Sequence, residues 1–394
     1  MALQISNIAA VLKKVIVPVI QNQLPKESVF FDKVKKNSGV TIANNQIYIA
    51  ARTGRHSGIY TVAEGTEPYA GKAKYLQPYT SMKYAFGTLE LSDQVLEAAG
   101  QSNQSVKAIA SILNTEITAL KEDFRKDINR QMMGDGNGVL CLANGTGIAS
   151  TALVVDTNPN GGDATEYLAE GMYIVVDTNS AVAITSVDSA TGITLASAIS
   201  WPDNSKVYKA GTAEIMGLNG IIDDGTNVAT IQNMLRSSYP FANANVDHSA
   251  ATLTEAQMIA QYLKAKRYGG SKTIFTGPTL FQYYGSLLTS MKRTANLSEV
   301  LKGGWKGLEF MDGVGVMLDF DTWSGCMHMV DFNDLTIAEM SDPFAWLEAD
   351  THGGILKRSA SNRTVWEGTL KYYFNLVALK FKGMATLRNK TNAG

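Results

Sequence analysis

The sequence is short of charge: only 18% of its 394 residues are Asp, Glu, Lys or Arg, against about 25% in an average soluble domain. So few charges cannot coat a monomer evenly, and part of the surface is expected to be covered by other chains. Nor does one sign dominate. The 35 basic and 36 acidic residues leave a net charge of -1, which argues against a protein built chiefly to grip nucleic acid by displacing counterions. Cysteine is scarce too. Cys141 and Cys326 stand far apart without Cys-x-x-Cys spacing, which excludes a disulfide scaffold or a zinc ribbon and suits a reducing compartment. The four histidines, His56, His248, His328 and His352, fall at no metal-ligand spacing, so neither metal nor cofactor is expected. No uncharged apolar run reaches the roughly 18 residues of a membrane span. The apolar start IAAVLKKVIVPVI is broken by Lys13 and Lys14 and no small-residue cleavage site follows it, so it does not read as a secretory signal.

What is present is apolar residue, 45% of the chain, enough for a sizeable core. The length suggests roughly two or three domains. Residues 1–40 form an apolar, then basic arm, broken by Pro18 and Pro25, too short to fold alone. Residues 41–92 read as strands QIYIAA and SMKYAFGTLELS joined by a polar, Gly-rich stretch. Such a long ribbon is marginal in water and needs a surface from elsewhere. Residues 93–149 contain the strongest helix signal. Ile109, Leu113, Ile117, Leu120, Phe124, Ile128 and Met132 recur at steps of three or four over 103–133, and the glycines of MGDGNG stop the helix.

Residues 150–213 turn to short Thr-, Val- and Ala-rich runs such as MYIVVDT and AVAITSVD, with seven acids and two lysines, a net charge of -5. This reads as an inserted β module with its own core, its charge steering it away from phosphates. Residues 214–350 are mixed, with a helix capped by Thr252 and Glu255, a buried-type strand KTIFTG and a helix TLFQYYGSLLTSM. Residues 351–394 close the chain in long strands, alternating through Leu379, Lys380, Phe381 and Lys382. The class is α+β.

No chemical motif is complete. Asp156-x-Asn158-x-Asn160-Gly161 starts like an EF-hand loop, but its twelfth position is Tyr167 where calcium needs Glu, so an Asx-rich turn is expected. Gly134–Gly138 lacks the strand before and helix after that a dinucleotide loop requires. Gly269–Thr273 lacks the phosphate-loop order and reads as a helix-to-strand turn. Cys326 and His328 could share a strand face, but a buried thiol beside a core imidazole is the expected state. Eight basic residues against Glu367 give the stretch from 353 onward a net charge of +7. It is read as a solvated face, or one paired with a neighbour's acids, ahead of one facing phosphate.

The order of parts is what resembles a known family. RTGRHSGIYTVAEGTEPYAG followed by YAFGTLELSDQ resembles the extended loop and return strand of the major capsid protein of tailed bacteriophages, the Hong Kong-97-type fold. ALKEDFRKDINRQMMGDGNGVL resembles that family's spine helix, and IMGLNGIIDDGT with KTIFTGPTLFQYY resembles parts of its axial domain. The resemblance implies an arm at 1–40, an extended loop at 41–92, spine helix and peripheral domain at 93–149, an inserted β domain at 150–213, a mainly axial domain at 214–350, and closing peripheral strands at 351–394. It implies a shell protein, not an enzyme, with no catalytic, cofactor or metal residue. Copies would form hexamers and pentamers of an icosahedral lattice around double-stranded DNA, held without sequence-specific binding, in the virion after assembly in the host bacterial cytoplasm.

Expected partners are further copies of the chain, a scaffolding protein, a portal and decoration proteins, with no membrane. Some members join extended loop to neighbour through Lys–Asn isopeptide bonds. Lys72 and Lys74 lie in the matching stretch, although no acceptor or acid matches residue by residue. The loop charges Arg52, Arg55, Glu64, Glu67, Lys72 and Lys74 are the candidate inter-subunit contacts, because the ribbon offers little else to anchor it. The alternatives are an encapsulin-like compartment shell, a secreted carbohydrate-binding β protein, which would need a signal peptide and a complete calcium loop, and a cytosolic enzyme, which would need a convergent catalytic set.

Overall fold

The computed structural model describes residues 29–94, 103–156, 158–211, 213–292, 308–347, 356–358 and 364–392. Most of the expected arm therefore lies outside the described residues. The chain divides into two compact units. The first takes residues 83–129 and 339–374, and the second residues 29–82, 130–338 and 375–394 together with intervening turns.

The first unit is built on the long helix Asn103–Met133, whose span matches the expected one. Its last four residues belong to the second unit. Gly134 closes it by donating to the carbonyls of Arg130 and Gln131, both at 3.1 Å, and Gly136 takes φ +82° just beyond, a conformation glycine adopts without steric cost. Lys83–Ser92 and the long strand Val365–Ala378 pair antiparallel in unbroken register from Val365↔Ser92 to Phe374↔Lys83. Period two then sorts the faces. Leu370, Tyr372 and Phe374 are buried while Tyr84 and Phe86 are exposed. Gly87 leaves room for the helix, since a Cβ there would stand 3.2 Å from a Leu120 methyl. Phe124 packs edge-on to Phe344 at 5.2 Å.

The second unit holds the inserted module. Six strands lie in the order Val139–Leu142, Lys206–Lys209, Tyr173–Val176, Val182–Ser189, Gly192–Trp201, Gly147–Val154. The ends meet. Ala143 bridges Val155, Asn144 donates to Val154 O at 2.9 Å and Asp156 to Leu142 O at 2.8 Å, so the sheet closes into a small barrel around Leu140, Leu153, Ile174, Val176, Ile184, Trp201 and Val207. Gly147 lies flat on the Trp201 indole, where a Cβ would come within 2.4 Å. The sequence reading starts this module at residue 150, but Val139–Leu142 supplies a strand through pairing with Lys206–Lys209. Four apolar residues directly after a helix stop carry no alternation to betray them.

The rest of the unit centres on a six-stranded mixed sheet ordered Asn245–Asp247, Ala385–Leu387, Met327–Val330, Thr273–Thr276, Val314–Leu318, Leu308–Phe310. Helices Glu255–Lys266 and Pro278–Lys292 bury Met258, Tyr262, Leu280 and Tyr284 in one cluster with Val316, Met329 and Leu387. The first helix is capped by Thr254, not Thr252. Thr254 Oγ1 accepts from Gln257 N, whose side chain accepts from Thr254 N in return, because Thr252 is engaged in a parallel pair with Thr391. The expected alternation through Leu379–Lys382 also fails. The long strand ends at Ala378, and the chain turns so that Gly383 meets Gly270 backbone to backbone, an approach in which a Cβ on Gly270 would fall 1.8 Å from Gly383 O.

A buried polar clasp fastens the barrel within this unit. Arg130 pairs with Glu214 and lies over the Tyr167 ring at 5.6 Å. Tyr167 Oη donates to Asp321 at 2.7 Å, Asn160 donates to Phe320 O at 2.9 Å, and Ser324 N donates to Pro159 O at 2.8 Å. Burial beside Asp321 pushes the Tyr167 hydroxyl pKa upward. It therefore stays a donor.

A second buried network orders the segment from Leu218 to Ala242. Arg236, 1% exposed, donates to the carbonyls of Gly220, Ile221, Asp223 and Ala242. Arg388 pairs with Asp223 at 3.1 Å, and Asp223 accepts from the backbone of Gly225, Asn227 and Val228. The basic tail is thereby turned partly inward: Arg388, and Lys390 bound to Asp247 and Ser249, are neutralised inside their own chain. Replacing Arg236 with Met strands several buried carbonyls and is expected to cost roughly 3 kcal/mol or more, read from a denaturant midpoint. A shift below about 1 kcal/mol would contradict that account.

Burial, with Arg388 nearby, lowers the His328 pKa to about 3, while burial raises that of Asp334 to about 6. Unfolded histidine binds its proton near pH 6.5, so between about pH 6.5 and 3 the unfolded chain holds the extra proton and stability falls as pH drops. Asp334 acts oppositely, adding stability as pH falls from about 6 toward 3.8. His328→Gln should flatten the acid limb of the stability profile and Asp334→Asn should steepen it. Unchanged limbs in both would refute the assignment.

Candidate assembly interface

The two-stranded pair Ala51–Arg52 and Tyr75–Leu76 opens into a long loop whose stem is laced by backbone. Thr53 and Gly54 donate to Lys74 O at 2.8 and 3.2 Å, and Ser57 N to Lys72 O at 3.3 Å. Lys72 N returns a bond to Ser57 Oγ at 3.1 Å. Above this ladder the chains cross at Gly58 and Gly71, so close that a Cβ on Gly71 would lie 2.0 Å from Gly58 N. Beyond the crossing Thr66 N bonds Ala63 O around Gly65 at φ +80°, and every residue from Ile59 to Ala70 is exposed.

The six charges singled out by sequence all sit here and all are exposed. Arg52, Arg55, Lys72 and Lys74 belong to the stem, Glu64 and Glu67 to the tip. The Arg52 guanidinium donates to Gly54 O at 3.2 Å. Among the described residues none of the six forms an ion pair. What charge-based reasoning missed is the apolar part of the tip. Ile59 is 81% exposed and Tyr69 79%, and Tyr60 meets Tyr69 edge-on at 6.0 Å. The signal was in the sequence as Ile-Tyr-Thr-Val beside Pro68-Tyr69. A ribbon that buries almost nothing cannot repay the entropy of ordering it from contacts within its own chain.

In the first unit, taken separately, the open face of the paired long strands carries a second apolar surface. Tyr84 and Phe86 meet Tyr373 edge-on at 5.0 and 5.8 Å, with Lys371 Nζ over the Tyr373 ring at 5.7 Å. Two exposed aromatics packed edge-on against a third, half-buried one make a patch that is unusual on a solitary protein.

The incomplete motifs resolve as structure. Asn158 and Asn160 side chains accept from Gly162 N at 2.9 and 2.8 Å, an Asx-type turn. Cys141 and Cys326 are buried, their thiols pushed up to about 12 and 11, chiefly by desolvation, the opposite of an activated nucleophile. Asp223, Asp224 and His248 lie close together, yet Arg388 and three backbone N–H groups already saturate Asp223.

Substituting Gly71 with Val should part the stem while leaving the cores intact. The thermal melt is expected to stay within about 0.5 kcal/mol of the parent, and limited proteolysis between residues 53 and 74 to accelerate. A large drop in global stability would show the crossing to be part of the core.

No protein-family model matches the chain, and no curated protein matches it. Solved structures do. A chain of the cyanophage A-1(L) capsid asymmetric unit superposes with a TM-score of 0.58 at 13% identity, covering 95% of this chain and 96% of that one. A chain of Mycobacterium phage Bobi (0.48, 10% identity, all of both chains) and one of the holo-SrpI encapsulin complex from Synechococcus elongatus (0.45, 9% identity, 99% and 97%) are weaker matches. The architecture, over nearly its whole length, is that of a Hong Kong-97-type capsid fold.

Proposed function

We propose that this chain is the major capsid protein of a tailed bacteriophage, assembling into hexamers and pentamers of an icosahedral shell that encloses double-stranded DNA. The observation that carries the reading is the laced, exposed loop at 53–74 on a capsid-type fold that covers 95% of the chain. Its stem is ordered, its tip is apolar, and its own chain gives it no core. Arg52, Arg55, Glu64, Glu67, Lys72 and Lys74 are then contacts to neighbouring copies, joined by Ile59 and Tyr69. The low charge content has the same explanation, since surface facing another copy needs no solvating charge. Scaffolding, portal and decoration proteins complete the proposal, as does assembly in the bacterial cytoplasm. The barrel, with its net acidic surface, faces away from the packaged phosphates.

Electron microscopy of the purified protein, alone and with the proposed scaffolding protein, is the test. Closed shells are expected, and Ile59→Asp with Tyr69→Asp should abolish them while leaving a folded subunit by circular dichroism. A compact monomer at every concentration, scaffold included, would overturn the proposal. Shells that take up protein cargo but no DNA would move it to the encapsulin-like alternative.

A further inference from the structure

The second unit is electrically polar along one strand. Lys272 directly precedes Thr273–Thr276 and shares one recess with Lys266; Lys264 and Arg267 stand at the end of helix Glu255–Lys266, and Lys380, from the turn after the long strand, reaches Tyr268 O through its Nζ. All five are exposed. The acids nearby are mostly spent. Asp331 is buried against Lys272 at 3.0 Å, Asp312 is paired with Lys266, and Asp334 is buried. Lys264 and Arg267 have no acidic partner among the described residues. Lys266 and Lys272 border an open recess of about 530 Å³ lined also by Tyr262, Gly269–Ser271, Asp312 and Val314, and the buried Ser271 hydroxyl in its wall has no hydrogen-bond partner.

At the other end of the same strand Thr276 O accepts from Asp319 N at 3.1 Å, and residues 320–324 carry the barrel clasp. The clasped segment runs from Asp156 to Glu170 and contains four acids, Asp156, Asp163, Glu166 and Glu170, with no basic residue. Asp163, Glu166 and Glu170 are exposed. The unit thus presents an acidic segment and a basic segment toward opposite ends of the strand Thr273–Thr276.

From this polarity we infer that the acidic segment Asp156–Glu170 of one copy docks on the exposed basic end of helix Glu255–Lys266 of a second copy, Lys264 and Arg267 facing Asp163 and Glu170. A contact between unlike ends is heterologous, and heterologous contacts propagate into rings when their rotation closes. Two acidic barrels would repel each other, so opposite charge fixes the direction of travel around the ring. The inference rests on the shell-forming proposal, and the experiment separates the two.

Sedimentation of the full chain at low and high ionic strength is compared for wild type, Lys264→Glu with Arg267→Glu, Asp163→Lys with Glu170→Lys, and all four together, each sample also imaged for shells. All four side chains are exposed, so folding is checked by circular dichroism alone. The expected result is association that weakens with salt, falls about tenfold in each two-site reversal, and returns in the fourfold variant. Salt-sensitive association that follows this pattern without shells would sustain the contact and refute the capsid reading. Shells that form equally well in every variant, or a fourfold variant that fails to recover, would overturn the contact and leave the capsid reading standing.

Discussion

A guanidinium can be taken out of water only where acceptors surround it, and that requirement organises the second unit. Arg236 reaches four carbonyls spread over the segment from Gly220 to Ala242, and its guanidinium lies over the Phe381 ring at 5.6 Å. It is thus bound at once to an irregular stretch and to the turn that follows the long strand. Arg388, two residues beyond the Thr386 that holds His328, attaches the last strands to Asp223. The hub flanks the edge of the sheet: its first strand, Asn245–Asp247, follows the segment that Arg236 holds and pairs with Ala385–Leu387, the strand directly before Arg388. Desolvation lowers the Arg236 pKa to about 10, which still leaves the charge in place at neutral pH.

How much of this was legible depends on the range of the forces involved. The helix Asn103–Met133 was legible to the residue, since its apolar spacing and its glycine stop are local. Thr273–Thr276 was visible as a buried strand for the same reason. The capping residue was misplaced by two positions, because Thr252 and Thr254 look alike until a strand some 140 residues later in sequence claims one of them. Strand Val139–Leu142 was hidden because its pairing partner is distant and the run is too short to show a period. Among the candidate contacts, all six charges were placed on the exposed loop, but the apolar tip was overlooked by attending to charge alone.

The near-neutral total of 35 basic and 36 acidic residues also conceals the most informative electrostatic feature. Asp319, Asp321, Asp331 and Asp334 of the sheet region are buried, while Asp163, Glu166, Glu170, Asp177, Asp188 and Asp203 of the barrel region are exposed. Net charge computed along the sequence cannot separate these cases. Whether a carboxylate faces water is decided by tertiary packing, and with it the field the protein projects.

The glycine crossing of Gly58 and Gly71 bears on how a lattice of copies would correct its mistakes. A loop already laced at its stem gives up little freedom on docking, so even modest contacts at the tip suffice for attachment. Modest contacts also release quickly. A subunit added in the wrong orientation would detach before its neighbours trapped it, and only closure, which engages every loop together, would make the arrangement permanent. Stiffness at the base of the loop thereby permits weakness at its end, and reversible trial is what that weakness provides.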